Sequence, residues 1–229
     1  MNADPLEALS EAARGWGAPL DAVALARIRS YLEEVQAKNA TVNLTADDGW
    51  DDLVLKHAAD GVYAAAVLRP LLAARGAPEN PRILDLGSGG GFIGVCLKIA
   101  WPAAEVTLME AALRKYRFLN AAAASLRMQG LRPLLCRAGA CAPSSSYATG
   151  FDAVVERALA PLPAALELAF PLLKSGGLFA AFQSKEPSSA EPELARALAA
   201  LEASQTDSRS YHRPGEARQR RLVIFGRES

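Results

Sequence analysis

Residues 82–94 read RILDLGSGGGFIG, and this stretch decides the fold. Arg82 to Asp85 form a short β-type run in which Ile83 and Leu84 are apolar. Gly87, Gly89, Gly90 and Gly91 follow closely, and an apolar segment runs on from Phe92 to Trp101. The order is strand, glycine-rich turn, helix. Glycine suits places where the backbone takes a positive φ or where a ligand approaches the main chain. The helix that opens after Gly91 aims its unpaired N–H groups and its positive dipole end at whatever the turn holds.

Outward from this turn, the C-terminal side alternates short strands with helices. Strands are expected at 82–86, 105–110, 133–137, 151–155 and 178–183, then at 206–211 and 221–225. Helices are expected at 92–100, 113–129 and 162–173, with helical character at 187–203 interrupted at Pro192. A loop rich in Ser, Ala and Pro spans 140–150, and Lys174-Ser175-Gly176-Gly177 reads as a turn. Regular βα alternation predicts a seven-stranded, mostly parallel sheet with helices on both faces. Ligands bind such sheets at the carboxyl ends of the strands, where the strand order reverses beside the first strand.

The N-terminal side is helical. Asp4-Pro5 marks a helix start, an acidic cap followed by proline at the first position, and that helix reaches about Arg14. A second helix spans about 19–38, with Leu20, Val23, Ala24, Ile28, Leu32 and Val35 on one stripe. Asp47 or Asp48 caps a third helix to about His57, and a fourth runs from about 60 to 74. Residues 1–78 therefore read as a helical extension, and residues 79–229 as one Rossmann-like unit.

Length and composition set bounds. The 229 residues, 51% hydrophobic, are enough for a full core. Formal net charge is zero, so a nucleic-acid partner has to be argued from local clusters. Cys96, Cys136 and Cys141 are odd in number and form no CxxC pair, which fits free thiols in a reducing cytosol and no metal centre. The acidic, polar first residues do not read as a secretory signal, and no apolar run approaches a membrane span.

Two ligands compete for the glycines. Gly89-Gly90-Gly91-Phe92-Ile93-Gly94 fits the GxGxxG dinucleotide pattern, with Glu110 for a ribose. Asp85-Leu86-Gly87-Ser88-Gly89 fits the S-adenosylmethionine pattern, an acid two residues before a GxG turn. A pyrophosphate would be repelled by Asp85, whereas an ammonium and a sulfonium would be attracted. The second reading is favoured and points to a class I methyltransferase, with Asp85, Gly87, Gly89, Gly91 and Glu110 at the donor.

The acceptor is argued from missing chemistry. After the fourth strand stands Glu156-Arg157-Ala158-Leu159-Ala160-Pro161, in place of the Asn/Asp-Pro-Pro-aromatic stretch of many amine methyltransferases. No Pro-Cys loop offers a thiolate for attack on a pyrimidine carbon. An acceptor that is already nucleophilic fits best. Guanine N7, with a free lone pair at neutral pH, needs alignment and no general base. Arg157, just past the fourth strand, is the expected positioning residue, able to fork onto guanine O6, a phosphate or the donor carboxylate. Arg114, Lys115 and Arg117 open a helix where cations oppose the dipole. With Arg218, Arg220 and Arg221 near the C-terminus they form the expected RNA footprint.

These residues give the chain a resemblance to the bacterial 16S ribosomal RNA guanine-N7 methyltransferases, the glucose-inhibited division protein B family. The likeness runs from about Pro19 to Phe225. It is carried by Asn43-Leu44-Thr45, Lys56-His57-Ala58-Ala59-Asp60 and the 85–94 turn. It continues through Arg114-Lys115-Tyr116-Arg117-Phe118-Leu119, Glu156-Arg157-Ala158 and Gly215-Glu216-Ala217-Arg218. The resemblance implies N7 methylation of one guanine near the decoding site, with S-adenosylmethionine as methyl donor. It implies donor contacts at Gly87, Phe92, Ala138, Gly139 and Arg157. The protein is expected to be cytoplasmic and a monomer. Ile93 stands where members usually carry proline, and Gly61 where they carry Ser. Ala138-Gly139-Ala140 lacks the family's acid, so an adenine contact there comes from the backbone. Gln183-Ser184, with Lys185 following, replaces a Lys-Gly pair, and Arg218-Gln219-Arg220-Arg221 replaces a shorter Arg-His. Alternative readings are methylation of a small molecule or protein, a non-catalytic donor-binding ribosome-assembly factor, and a nicotinamide-dependent oxidoreductase.

Overall fold

The computed structural model describes residues 4–140 and 150–227. Strand β1 (Arg82–Leu86) leads through the glycine turn into α5 (Phe92–Ala100), and β2 (Glu105–Glu110) follows. All three have the bounds read from the sequence. Before them come α1 (Pro5–Gly15), α2 (Ala22–Val42), α3 (Trp50–Asp52) and α4 (Ala59–Ala74). After them come α6 (Leu113–Leu126), β3 (Leu131–Leu135), β4 (Phe151–Glu156), α7 (Leu162–Ala169), β5 (Leu173–Gln183), α8 (Pro192–Ala200), β6 (Ala203–His212) and β7 (Gln219–Arg227).

The seven strands form one sheet in the order β3-β2-β1-β4-β5-β7-β6. Pairing is parallel from β3 to β5, and β7 is antiparallel to both β5 and β6. The order reverses at β1, which has β2 on one side and β4 on the other. The mostly parallel α/β architecture is as expected.

The sheet divides the core. On one face Ile83, Val106, Leu108, Ala153, Val155 and Ile224 pack with α5, α6 and the N-terminal helices. On the other, Leu84, Leu86, Val154, Phe179 and Phe225 pack with α7 and Leu194 of α8. This alternation is the period of two that a strand buried on both faces requires. The N-terminal helices thus share a continuous core with the sheet.

Local chemistry explains most element ends. Asp4 Oδ1 accepts from Leu6 N at 3.0 Å, and Asp21 Oδ1 from Ala24 N at 2.7 Å, as helix N-caps do. Asn43 closes α2 in the left-handed region, and Arg127 does the same for α6, which ends that helix earlier than expected. The break expected near His57 is absent. Instead α3 continues into α4 through a π-helical segment, Leu53–Ala58, with Gly49 as N-cap in place of Asp47 or Asp48. A π segment inserts residues into a helix and often marks a functional site. Strand β5 also begins early. Its glycine turn lies within the strand, opposite a register shift between Phe151 and Ala153.

Two departures from the family pattern touch one another. A Cβ on Gly61 would lie 2.7 Å from both Cys96 Cβ and the Ile93 carbonyl oxygen. Glycine lets α4 close onto α5 at the turn where Ile93 stands. Cys96 is a free, fully buried thiol. Cys136 is disulfide-bonded. That corrects the free-thiol expectation, since an odd total without CxxC spacing still permits a bridge. Cys141 and most of the Ser/Ala/Pro loop lie outside the described residues. No described helix is long and apolar enough to cross a membrane.

Candidate active site

The site is built at the carboxyl edge of β1, β2 and β4. In the turn after β1, Gly87, Gly89 and Gly91 all take positive φ. The amides of Gly87 and Ser88 both donate to Met109 O of β2, at 3.0 and 2.9 Å, which pins the turn to the neighbouring strand. Asp85, 2% exposed, accepts the amide of Gly94 on Oδ2 at 2.9 Å and so satisfies an N–H in the first turn of α5. One oxygen therefore has the loop-amide role open to such an acid. Burial pushes the Asp85 carboxyl up to about 6, against the pull of the Gly94 and Ser88 hydrogen bonds. Glu110, at the end of β2, holds Gly89 N at 2.9 Å and Ala112 N at 2.7 Å, one on each oxygen. Each oxygen keeps a second acceptor direction.

A hollow of about 140 Å³ lies on this turn. Its lining includes Asp85, Gly87, Ser88, Gly89, Gly90 and Phe92, with Thr45, His57 and Arg157 closing it from the N-terminal helices and β4. A second cleft of about 690 Å³ lies beyond, lined by Glu156, Gln183, Tyr211, Arg213, Glu216 and Arg220 among others. Both spaces are lined by His57 and Arg157, so these two side chains form a common wall.

That wall is held by a buried carboxylate. Asp60, fully buried, accepts Arg157 Nη1 at 2.7 Å and Arg213 through Nε and Nη2 at 2.8 and 2.6 Å. It also accepts the Tyr211 hydroxyl at 2.5 Å. Burial alone would raise its pKa, but the Arg213 hydrogen bond, the two guanidinium charges and the Tyr211 hydrogen bond hold the carboxyl below the usual range. The second arm of Arg157 donates from Nη2 to His57 Nδ1 at 2.7 Å. A guanidinium only donates, so Nδ1 accepts and the ring proton sits on Nε2. Nε2 then donates to Thr45 Oγ1 at 3.0 Å. Asn39 holds the same loop, its Oδ1 accepting from Leu44 N and Thr45 N. The His57 ring stacks on Phe92 at 4.3 Å. Burial, and then the Arg157 charge, lower the His57 pKa to about 4.

The structure gathers some expected residues and separates others. Asp85, Gly87, Gly89, Phe92 and Arg157 meet at the smaller hollow. Gly91 is buried, and a Cβ there would face Leu119, Val95 and the Tyr31 hydroxyl, so it shapes the turn from behind. Ala138 packs against the second core and Gly139 is exposed beyond β3. Arg114 and Arg117 are exposed at the start of α6, with Lys115 partly covered. The C-terminal cations are more heavily paired than their local sequence suggests. Arg220 binds Glu216 at 2.5 Å and Arg221 binds Glu186 at 2.7 Å, while Arg218 is exposed. Neither Asp60 as the partner of Arg157 nor Tyr211 as a donor to Asp60 stood out in the sequence. Among the described residues no cluster suited to a metal ion occurs.

The turn fits S-adenosylmethionine: the buried Asp85 lines the hollow, and Glu110, outside its lining, is held to the turn at Gly89 N, so two carboxylates near the turn attract a cation and oppose a pyrophosphate.

A family profile described as GidB: rRNA small subunit methyltransferase G matches residues 24–223. The ribosomal RNA small subunit methyltransferase G of Geobacter sp. (strain M21) is 34% identical, over 96% of this chain and 97% of its own length. The protein of the same name from Myxococcus xanthus (strain DK1622) is 34% identical over 88% of each chain. Among solved structures, TrmN from Thermus thermophilus aligns with a TM-score of 0.54 and 20% identity, covering 77% of this chain and 52% of that one. M. jannaschii TYW2 in complex with AdoMet aligns with a TM-score of 0.51 and 16% identity, covering 70% and 75%. These distant structures share the fold. The extent of the profile match, together with the full-length relatives, establishes that the chain belongs to the GidB family, rRNA small subunit methyltransferase G.

Proposed function

We propose that this protein transfers the methyl group of S-adenosylmethionine to N7 of one guanine in 16S ribosomal RNA. The observation that carries the reading is the common wall. A small hollow on the glycine turn and a larger cleft meet at Arg157 and His57. A donor on one side and a base on the other would then face each other across the carboxyl edge of β1 and β4.

The donor supplies an electrophilic methyl group on a sulfonium. Asp85 and Glu110 provide negative charge for its cationic and ribose ends, and Gly87 and Gly89 give backbone access. Phe92, beneath His57, provides an apolar face. Backbone groups of Ala138 and Gly139 border the adenine end, and Gly91 sets the turn. Arg157, fixed by Asp60 and His57, positions what enters the cleft. Because guanine N7 carries a free lone pair, alignment and exclusion of water suffice and no side chain has to remove a proton. The base gains the positive charge that the sulfonium loses, so a cleft with buried carboxyls favours the product side of the transfer. Arg114, Lys115, Arg117, Arg218, Arg220 and Arg221 serve the RNA backbone. Residues 1–78 act as a helical extension that closes the hollow, and residues 79–229 as the methyltransferase unit. The working form is a cytoplasmic monomer.

The test is incubation of the protein with methyl-labelled S-adenosylmethionine and unmodified small ribosomal subunits. Label in 16S RNA is expected, reduced at least tenfold in Arg157→Ala. Label confined to protein or small molecules would overturn the reading.

A further inference from the structure

Glu156 is the last residue of β4 and is 1% exposed. Its Oε2 accepts the amide of Leu159 at 3.1 Å, which fixes the carboxyl plane. Its Oε1 has no hydrogen-bond partner. Among the described residues one other buried side-chain oxygen lacks a hydrogen bond, Asp152 Oδ1, and that atom has Lys174 as an ion-pair partner. A buried carboxyl oxygen left unpaired is costly, and such groups in native folds commonly await a ligand or serve chemistry.

The position suits a ligand. Glu156 lines the larger cleft. It belongs to the turn whose Leu159 side chain packs on Gly87, with Leu159 Cδ1 2.5 Å from where a Cβ on Gly87 would lie. Asp85, whose charge acts on Glu156, is also close by. Glu156 therefore lines the larger cleft on the α7 side of the sheet, next to Arg157, which lines both spaces from the α4 side.

Resting on the function proposed above, we propose that Glu156 reads the target base, its carboxyl accepting hydrogen bonds from N1–H and N2–H₂ of guanine. A carboxyl presents two acceptor oxygens about as far apart as those two donors, and Oε2 keeps a second lone-pair direction after Leu159. Adenine offers an acceptor at N1 and no N2 amine, so it would leave the buried carboxyl unpaired. That is the strongest route to discrimination between similar ligands. Inosine keeps N1–H and lacks the amine. The base must leave its stack to reach so deep a group, as bases modified by enzymes do. The carboxylate also faces a ring that becomes cationic on methylation, so the same contact strengthens as the reaction proceeds.

The test compares small subunits reconstituted with guanosine or inosine at the target position, using wild type and Glu156→Gln. Wild type should favour guanosine in kcat/KM by roughly 10–100-fold. Glu156→Gln should bring that ratio towards one, because its amide nitrogen cannot accept from N2. Donor affinity affects both substrates alike, so the ratio isolates the base contact. A variant that slows both substrates equally, or neither, would show that Glu156 only shapes the turn and would overturn the proposal. Should Glu156→Gln fail to fold, equal wild-type rates on guanosine and inosine overturn it alone. Absence of any N7 methylation by wild type would instead refute the function on which the proposal rests.

Discussion

Replacing Asp60 by asparagine tests the wall between donor and acceptor. The substitution keeps shape and removes one buried negative charge. In the native protein that charge faces Arg157 Nη1 at 2.7 Å and Arg213 Nη2 at 2.6 Å, with the Tyr211 hydroxyl at 2.5 Å. Asparagine has one acceptor oxygen and a donor NH₂, so at least one guanidinium would meet a donor. Two cations would then lie close together with no anion between them. Removing one partner of a buried ion pair costs about 3–5 kcal/mol. For a domain of this length that lowers Tm by roughly 6–20 °C. The pH dependence has a definite sign. The Asp60 carboxyl lies below the usual range in the folded state, against about 3.9 unfolded. The unfolded chain therefore binds more protons as pH falls, and Asp60's contribution is complete above the unfolded pKa and lost as pH drops through the folded one. Thermal melts followed by circular dichroism from pH 8 to pH 3 should show the Asp60→Asn deficit at its full size above about pH 5 and shrinking in acid. A deficit under 2 °C at neutral pH would refute the view that the Asp60 charge organises the wall.

His57 gives the second prediction. Its pKa is lowered to about 4 by burial and by Arg157, against about 6.5 unfolded. The unfolded state binds the extra proton between those values, so stability should fall as pH drops from 6.5 towards 4, by an upper bound of about 3 kcal/mol. Urea melts of His57→Gln should show a flatter slope in that window; an unchanged slope would contradict a neutral, buried imidazole. Asp85, pushed by burial up to about 6, ionises more fully as pH rises. Calorimetric affinity for S-adenosylmethionine should therefore increase from pH 5 to pH 8, and more steeply than for uncharged-sulfur S-adenosylhomocysteine. Parallel curves would remove Asp85 from cation binding. Gly61→Ser should destabilise by about 1–3 kcal/mol, because α4 and α5 have no room for a Cβ there. A neutral melt would mean that the helices separate freely.

The sequence was most informative where chemistry is local. The glycine turn, its flanking strand and helix, and β2 follow from glycine positions and a period-two apolar run, and their bounds agree with the structure. Asp85 and Glu110 could be placed beside that turn because the βα order puts both at one sheet edge. What was not legible depends on distance in the chain. Asp60 meets Arg157 across 97 residues and Arg213 across 153. No periodicity encodes such a meeting, and each residue alone reads as an ordinary charged side chain. The same holds for Glu186 with Arg221, which tempers the positive C-terminal segment from outside it. The π segment at Leu53–Ala58 was hidden because its composition is that of any apolar helix. The early start of β5 was hidden because Lys174-Ser175-Gly176-Gly177 has turn composition, yet pairing with β4 holds it as strand through a register shift. The significance of Glu156 came from an unpaired oxygen, which only coordinates can show.

The most direct test of the account is chemical mapping of the methylated base. Small ribosomal subunits lacking the modification are incubated with the protein and S-adenosylmethionine, and the extracted 16S RNA is treated with borohydride and aniline, which cleave at N7-methylguanosine. The account predicts new scission at one guanosine, dependent on the protein and on the donor. Label incorporated without scission, or scission spread over many guanosines, would contradict N7 transfer to a single base.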